Sequence, residues 1–514
     1  MMQADGSRRD ILKAMGSLGL LAAVPAAARA QRPVKPALDP LLAMPGHELA
    51  GAIASRKVSS VEAMTAVLDR IERINPRVNA IIALQRREEL LGAAQAMDAR
   101  IAAGNNPGPL AGLPCAVKDL QDVNGITSTM GTLVNKGRVP TKDGIMVERL
   151  RKAGALFIDK TNVPEFGFGS HTYNPIYGAT GNAFDPSRTA GGSSGGAAVS
   201  LALRMLPIAD GSDFGGSLRN PAAWNNVFGF RPGIGTVPQE GSEQWISNMG
   251  VLGPMARTVR DLALLLSVQA GPHAQSPLSA ELDPAQFMGS LDMETKGKRI
   301  GWIGDWGGQV PHDPEVLSVC RGALSAFAAM GCEVDEVRPD IEVEPVWQAT
   351  HRLRSWMLAG RLIPLVDAPA NKGMFGAQVL WEVENGRNLT GVDVMKASAV
   401  RTAYSRAIDR LFDHFDFLVT PAVRLFPFPI TETWPTEVAG QTMRTYHEWM
   451  LGCFLVTMTG LPALAAPAGF GRNGLPTGIQ IISRRHAEMD CLRIAHAYEQ
   501  AQSAVIGRLS PLMG

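Results

Sequence analysis

Three observations predict a layered α/β fold for this chain. Short apolar runs bounded by turn residues, "LAGLPCAVKDL" (110–120), "GALFIDKTN" (154–162) and "MLPIADGSD" (205–213), have the pattern of interior strands. Between them, "MVERLRKAG" (146–154) and "GAAVSLALRM" (196–205) read as helices, and strands alternating with helices argue for a sheet covered by helices. The third is composition: 46% hydrophobic and 19% charged residues over 514 positions leave room for a large core.

The elements follow in order. "SSVEAMTAVLDRIERIN" (59–75) opens with Ser59 three residues before Glu62, a capping-box signature, and predicts an amphipathic helix ending near Asn75-Pro76. "PCAVKDL" predicts a buried strand that ends on Lys118. A second series starts at "KRIGWIGDWG" (298–307) and continues with the helix "PEVLSVCRGALSAFAAMG" and the strand "CEVDEVRP". Residues 271–297, rich in Pro, Ser and Asp, read as a surface excursion. Residues 340–400 contain helical stretches with Trp347, Trp356, Met357, Met374, Phe375 and Trp381.

The N-terminus predicts export. Arg8 and Arg9 precede the apolar run "AMGSLGLLAAVPAAA", and "ARA" at 28–30 offers the small residues of a cleavage site, so residues 1–30 read as a twin-arginine signal and the mature chain starts near Gln31. That places the protein in the periplasm or outside the cell, with no stable membrane insertion after cleavage. A formal net charge of +1 and no dense basic run beyond the N-terminus argue against a nucleic acid partner. Cys115, Cys320, Cys332, Cys453 and Cys491 are scattered, have no metal-ligand spacing and read as core thiols.

Two glycine-serine clusters, "GGSSGG" (191–196) and "GSDFGGSLRNPA" (211–222), carry the chemistry. A linker does not fit, because the first cluster runs directly into the apolar "AAVSLALRMLPIAD". A phosphate loop would place a lysine after the glycines, and none is there. Gly191 to Gly195 satisfy G-x-S-x-G, the nucleophile elbow of α/β-hydrolases, with His447 or His496 as the histidine, but that reading leaves the second cluster unused.

Both clusters, together with "PCAVKD" (114–119), resemble the amidase signature family, in the family's order. Supporting stretches include "EFGFGSHTYNPIYGATGNAFDPSRTAGGSSGG", "FGFRPGIGTVP", "FDFLVTPA" and "GLPTGIQIISRR", and the similarity spans roughly residues 45–500, thinning between about 270 and 410. The resemblance implies a single α/β/α domain with a mixed, largely parallel central sheet. It also implies a Ser-Ser-Lys triad: Ser217 as nucleophile, Ser193 as bridging serine at a cis peptide bond, and Lys118 as base. Such a lysine works only when neutral, and lowering it from ~10.4 to ~7 takes about 4 kcal/mol, which burial can supply. Gly215 and Gly216 would let the N–H groups of Phe214, Gly215, Gly216 and Ser217 meet an oxyanion. Asp213 and Arg219 would support the loop, and Ser194 would either bond within the triad or cap backbone.

The resemblance further implies that Gly167 and Phe168 lie near the scissile group, that Phe168 and Phe214 form an apolar wall, and that segment 340–400 acts as a lid. The expected substrate is a small hydrophobic or aryl amide, with a carbamate or ester as the alternative, and neither metal nor cofactor is expected. The export signal argues against the family's tRNA-dependent amidotransferase branch, and retention of the three triad residues argues against a non-catalytic binding protein. "WNNVFGFRP" replaces a cysteine-glycine pair found after the arginine motif in many members, with Trp224, Asn225 and Asn226 in its place; this weakens any inference of substrate from the family. Oligomeric state is left open.

Overall fold

The structure, a computed structural model, describes residues 38–513 apart from 106, 242 and 247. The expected export segment, 1–30, lies outside the described residues. The strands that matter here are β1 (Pro114–Lys118), β2 (Leu156–Thr161), β3 (Ala209–Asp213), β4 (Phe228–Arg231), β5 (Val251–Ala256), β6 (Arg299–Trp302), β7 (Glu333–Glu336), β8 (Phe417–Pro421), β9 (Ala463–Phe470) and β10 (Pro476–Ile482). The helices are α1 (Ser60–Ile74), α2 (Gly195–Ala202), α3 (Arg219–Trp224), α4 (Val259–Gln269), α5 (Val343–Val366), α6 (Ala377–Arg387), α7 (Gly391–Asp409), α8 (Leu451–Thr459) and α9 (Glu488–Ala501).

Eight strands form the central sheet in the order β3-β5-β4-β9-β10-β8-β6-β7. Side chains alternate across it with the two-residue period of a strand: Val419, Leu464 and Ile481 enter one core with α4 and α9, while Leu418, Ala463 and Ile482 enter another with α5, α7 and α8. Both faces are thus buried, and the domain is the expected helix–sheet–helix sandwich. The sheet is mixed as expected, but its parallel share is smaller. Only β10's outer neighbours β8-β6-β7 are joined in parallel, and the other ladders are antiparallel. The reason is local: β5 inserts between β3 and β4 and runs against both, so these two strands share a direction without sharing hydrogen bonds. A short turn then makes β9 and β10 a hairpin.

α1 starts at the predicted capping box, with Ser59 and Glu62 each bonding the other's backbone N–H. β1 and β2 pair in parallel as a separate two-stranded ribbon. It is joined to the main sheet where the Lys118 N–H donates to Asp210 Oδ1 at 2.9 Å. Residues 271–297 pack Phe287 and Leu291 into the core near α4, away from the cavity described below. All five cysteines are free and buried.

α5 and α6 pack closely because of one glycine. A Cβ on Gly386 would lie 2.0 Å from the Ser355 carbonyl oxygen, whereas a Cβ on Gly360, in exposed α5 backbone, would meet nothing within 4 Å. Gly386→Ala is therefore expected to destabilise the protein by about 1–3 kcal/mol through overpacking. Gly360→Ala is expected to stabilise it by about 1 kcal/mol through helix propensity, both read by urea denaturation.

Candidate active site

Lys118 is the last residue of β1 and is fully buried. Its Nζ lies 2.8 Å from Ser193 Oγ, 2.8 Å from Ser194 Oγ and 2.9 Å from Ser212 Oγ, with the Ser212 carbonyl at 3.3 Å. Burial pushes the amine down to about 7, against the opposing pull of Asp210 and Asp213. A neutral amine has two donors and one lone pair, so one of three hydroxyls must donate to nitrogen. Ser194, just ahead of α2, makes no side-chain cap. Of its two expected roles, the bond to the lysine is the one it takes.

The two clusters are stitched together. Ser194 N–H donates to the Ser217 carbonyl at 3.2 Å, Gly192 N–H donates to Asn220 Oδ1 at 3.0 Å, and the Gly192-Ser193 peptide is cis. Ser217 stands just before α3 and, with Ser193 and Ser212, lines a cavity of about 380 Å³. The expected triad residues therefore meet at one place, with Ser193 bonded to Lys118 and Ser217 on the same wall.

Asp213 holds the second cluster in shape. Its carboxylate accepts the N–H groups of Gly216 and Leu218 and pairs with Arg219, whose Nη2 is 2.8 Å from Oδ1, while Arg231 Nη1 stands 3.5 Å away. Burial alone would raise this carboxyl, but Arg219 and Arg231 outweigh it and hold it well below the usual carboxylate range. The bond to Asp213 takes the Gly216 N–H out of the expected oxyanion set. Gly215 and Gly216 owe their missing side chains to α8 instead: a Cβ at 215 would lie 2.3 Å from the Phe454 ring, and one at 216 would lie 2.8 Å from Cys453. Neither glycine lines the cavity, whereas Phe214 does.

Gly167 and Phe168 lie where expected. Gly167, at φ +75°, would put a Cβ 3.3 Å from Ser193 Oγ and 2.8 Å from a Leu120 methyl. Beside it Phe166 and Met130, both lining the cavity, hold φ of 50° and 53°, conformations rare for residues with side chains and found where a site dictates the backbone.

The cover differs from its prediction. Segment 340–400 lines one side of the cavity, but Trp347 and Trp381 pack with His351, His447 and Phe454 away from it. The side chains that α5 presents to the cavity are Arg354, Leu358, Arg361 and Leu362. Arg354 lies over the Phe214 ring at 4.7 Å and the Phe168 ring at 5.4 Å, so the expected apolar wall is faced with a guanidinium. Glu165 ties the cover down by accepting the Gly376 N–H at 2.8 Å. Sequence reasoning missed Arg354 and Ser212. Ser212 was legible in principle, because it stands two residues beyond Asp210 on the same strand face.

Neither histidine of the nucleophile-elbow alternative is near Ser193. His447 is buried against Glu382 at 2.8 Å, and His496 bonds Glu499 on α9. Trp224 stacks on Trp449 at 4.7 Å, and Asn225 bonds the Ala190 and Pro221 carbonyls, so the departures at these positions serve packing. Among the described residues no group of three or more His, Cys, Asp or Glu could hold a metal, and no helix is long and apolar enough to cross a membrane.

A buried amine bonded to serine hydroxyls, two of which line an open cavity, in a layered α/β domain, is the equipment of a hydrolase. Residues 62–492 match the Amidase family. An acylamidase from Rhodococcus erythropolis is 34% identical over 456 residues, covering 88% of this chain and 94% of that protein. The A subunit of the glutamyl-tRNA(Gln) amidotransferase of a Picosynechococcus strain is 33% identical, over 87% and 96%. The crystal structure of a bacterial aryl acylamidase of the amidase signature enzymes superposes with a TM-score of 0.83 at 28% identity, covering 91% of this chain and 99% of that one. The chain belongs to the amidase signature family, and it is a hydrolase of amide C–N bonds.

Asp213→Ala would leave Arg219 buried beside no carboxylate. It is expected to destabilise the protein by about 3–5 kcal/mol in chemical denaturation. Ser217→Ala, at a half-buried position, is expected to change stability by less than about 1 kcal/mol.

Proposed function

We propose that the protein is an exported amidase that cleaves a small hydrophobic or aryl amide through an acyl-enzyme on Ser217. The observation that carries this reading is the 2.8 Å contact between the buried Lys118 amine and Ser193, in the cavity that Ser217 also lines. Ser217 Oγ attacks the carbonyl carbon, and its proton passes through the Ser193 hydroxyl to neutral Lys118. The oxyanion then faces the N–H groups of Phe214, Gly215 and Ser217, the donors that remain once Gly216 is bound to Asp213. As the C–N bond breaks, the proton returns through Ser193 to the leaving amine. Water entering by the same route, activated by the same lysine, hydrolyses the ester.

A carbamate or ester presents the same acyl carbon. The acylamidase relatives favour an amide, and the phenylalanines at the wall favour an aryl or hydrophobic one. Export is supported by Arg8, Arg9 and the apolar run up to Ala30, and it would separate this protein from the tRNA that its amidotransferase relatives are named for.

The test is amine release by residues 31–514 from an acyl anilide and the matched aryl carbamate. Faster anilide turnover supports the amidase, and faster carbamate turnover makes it a urethanase. Ser217→Ala is expected to lower turnover by at least about 10³-fold and to abolish labelling by a serine-directed phosphonate. Labelling that persists in this variant would sink the nucleophile assignment.

Because the working form of Lys118 is the neutral one, kcat/KM should rise with pH through about 7 and then level. Below that point the rate should fall about tenfold per pH unit. Lys118→Ala should lose most of its rate at neutral pH and recover part of it in alkali, where hydroxide replaces the missing base.

A further inference from the structure

Arg354 is placed as few arginines are. It is 5% exposed, on the face of α5 that covers the cavity, and two of its three nitrogens are satisfied by protein: Nε donates to Glu382 Oε1 at 2.7 Å and Nη2 to the Tyr446 hydroxyl oxygen at 2.9 Å. Nη1 has no hydrogen-bond acceptor among the described residues, although the side chain lines the cavity. The Phe214 and Phe168 rings, at 4.7 and 5.4 Å, fix the orientation of the guanidinium. Glu382 and Tyr446 hold the guanidinium through Nε and Nη2, which leaves Nη1 as the donor available to a group that enters the cavity.

We propose that Arg354 is a substrate-recognition residue whose Nη1 receives a neutral hydrogen-bond acceptor carried by the substrate away from the scissile bond. This rests on the amidase reading of the cavity and adds the chemistry of the group that the substrate carries: a ketone, ether or second carbonyl oxygen on an otherwise apolar body. The acceptor is neutral because the guanidinium's charge is already matched by Glu382, buried 2.7 Å away. Glu240 also lines the cavity and disfavours an anion there, Asp122 and Asp213 are paired with Arg138 and Arg219, and Arg361 is exposed, where water screens it. The donor is preorganised by its two bonds and two rings, so an acceptor gains its hydrogen bond without ordering a side chain.

The test reads binding rather than turnover. Two matched pairs of anilides, one with a para acetyl or isopropyl group on the amine side and one with the same groups on the acyl side, are titrated into the Ser217→Ala protein by calorimetry. They are then titrated into the same protein carrying Arg354→Lys, or Arg354→Met with Glu382→Gln. Lysine keeps a cation for Glu382 but has no Nη1, and the double substitution leaves no buried charge unpaired. The ratio of acetyl to isopropyl affinity cancels effects on general packing. In one of the two pairs it is expected to fall by about tenfold in both variants, the loss of one hydrogen bond to a charged donor.

An unchanged ratio in both pairs would overturn the proposal, and so would tighter binding of the para carboxylate than of the acetyl ligand. Ser217-dependent hydrolysis with an unchanged ratio removes this inference and leaves the amidase reading. A shifted ratio in a protein that hydrolyses none of the anilides does the reverse.

Discussion

The buried amine of Lys118 is the constraint around which the rest of the structure is arranged. An amine buried in an apolar strand end costs several kcal/mol unless hydrogen bonds replace its water. Here the partners are three hydroxyls from two segments: Ser193 and Ser194 from the first glycine-serine cluster, and Ser212 from the second. That demand forces the clusters together, and glycine makes the approach possible. A Cβ on Gly211 would stand 2.5 Å from Leu218 and 2.8 Å from Ser194 Oγ, so β3 can reach Ser194 only without a side chain there. The burial that makes the lysine costly also lowers its pKa to about 7, so one arrangement sets both the junction of the clusters and the titration of the amine.

A second constraint keeps the junction rigid. Asp213, Arg219 and Arg231 are all buried, and Arg219 reaches on to Gln480 at 2.6 Å, Thr457 Oγ1 at 2.9 Å and the Cys453 carbonyl at 2.9 Å. The loop bearing Ser217 is thereby bonded to β10 and α8, elements more than two hundred residues away in sequence. Buried ion pairs contribute little net stability, since desolvation offsets their attraction, but they tolerate few alternative geometries. The loop that carries Ser217 is thereby held in a single geometry against the first cluster.

The floor of the site was legible in sequence because its chemistry is local. Lys118, Ser193 and Ser217 each sit inside a short run whose residue types have a mechanical reason, and the structure brings those runs together. Strands β1, β2 and β3 and helix α1 were legible for a related reason, since their patterns are set by neighbours within a few residues. Sheet direction was not, because β5 entering between β3 and β4 is a pairing over long separations that no local period encodes. The packing that requires glycine at 215 and 216 escaped the sequence for the same reason. Their open space is claimed by Phe454 and Cys453, and nothing near position 215 announces α8.

The cover shows where local reading stops and where it could have gone further. Arg354, Leu358, Arg361 and Leu362 stand at i, i+4, i+7 and i+8 of one helix, which is the stripe a 3.6-residue repeat lays along one face. A buried arginine on such a stripe breaks the pattern of a core-facing helix and calls for a buried carboxylate, and Glu382, one helix later, supplies it for Arg354. The aromatic residues of the same segment drew notice instead because large rings dominate composition, yet Trp347 and Trp381 pack to the side. Floor and cover thus answer to different demands: the floor is held by glycines and buried ions that tolerate almost no change. The cover is a helix pair, α5 and α6, whose cavity-facing stripe makes no bond to Lys118. Within this fold, the buried lysine and the stripe that covers the cavity are therefore carried by separate parts of the chain, β1 and α5.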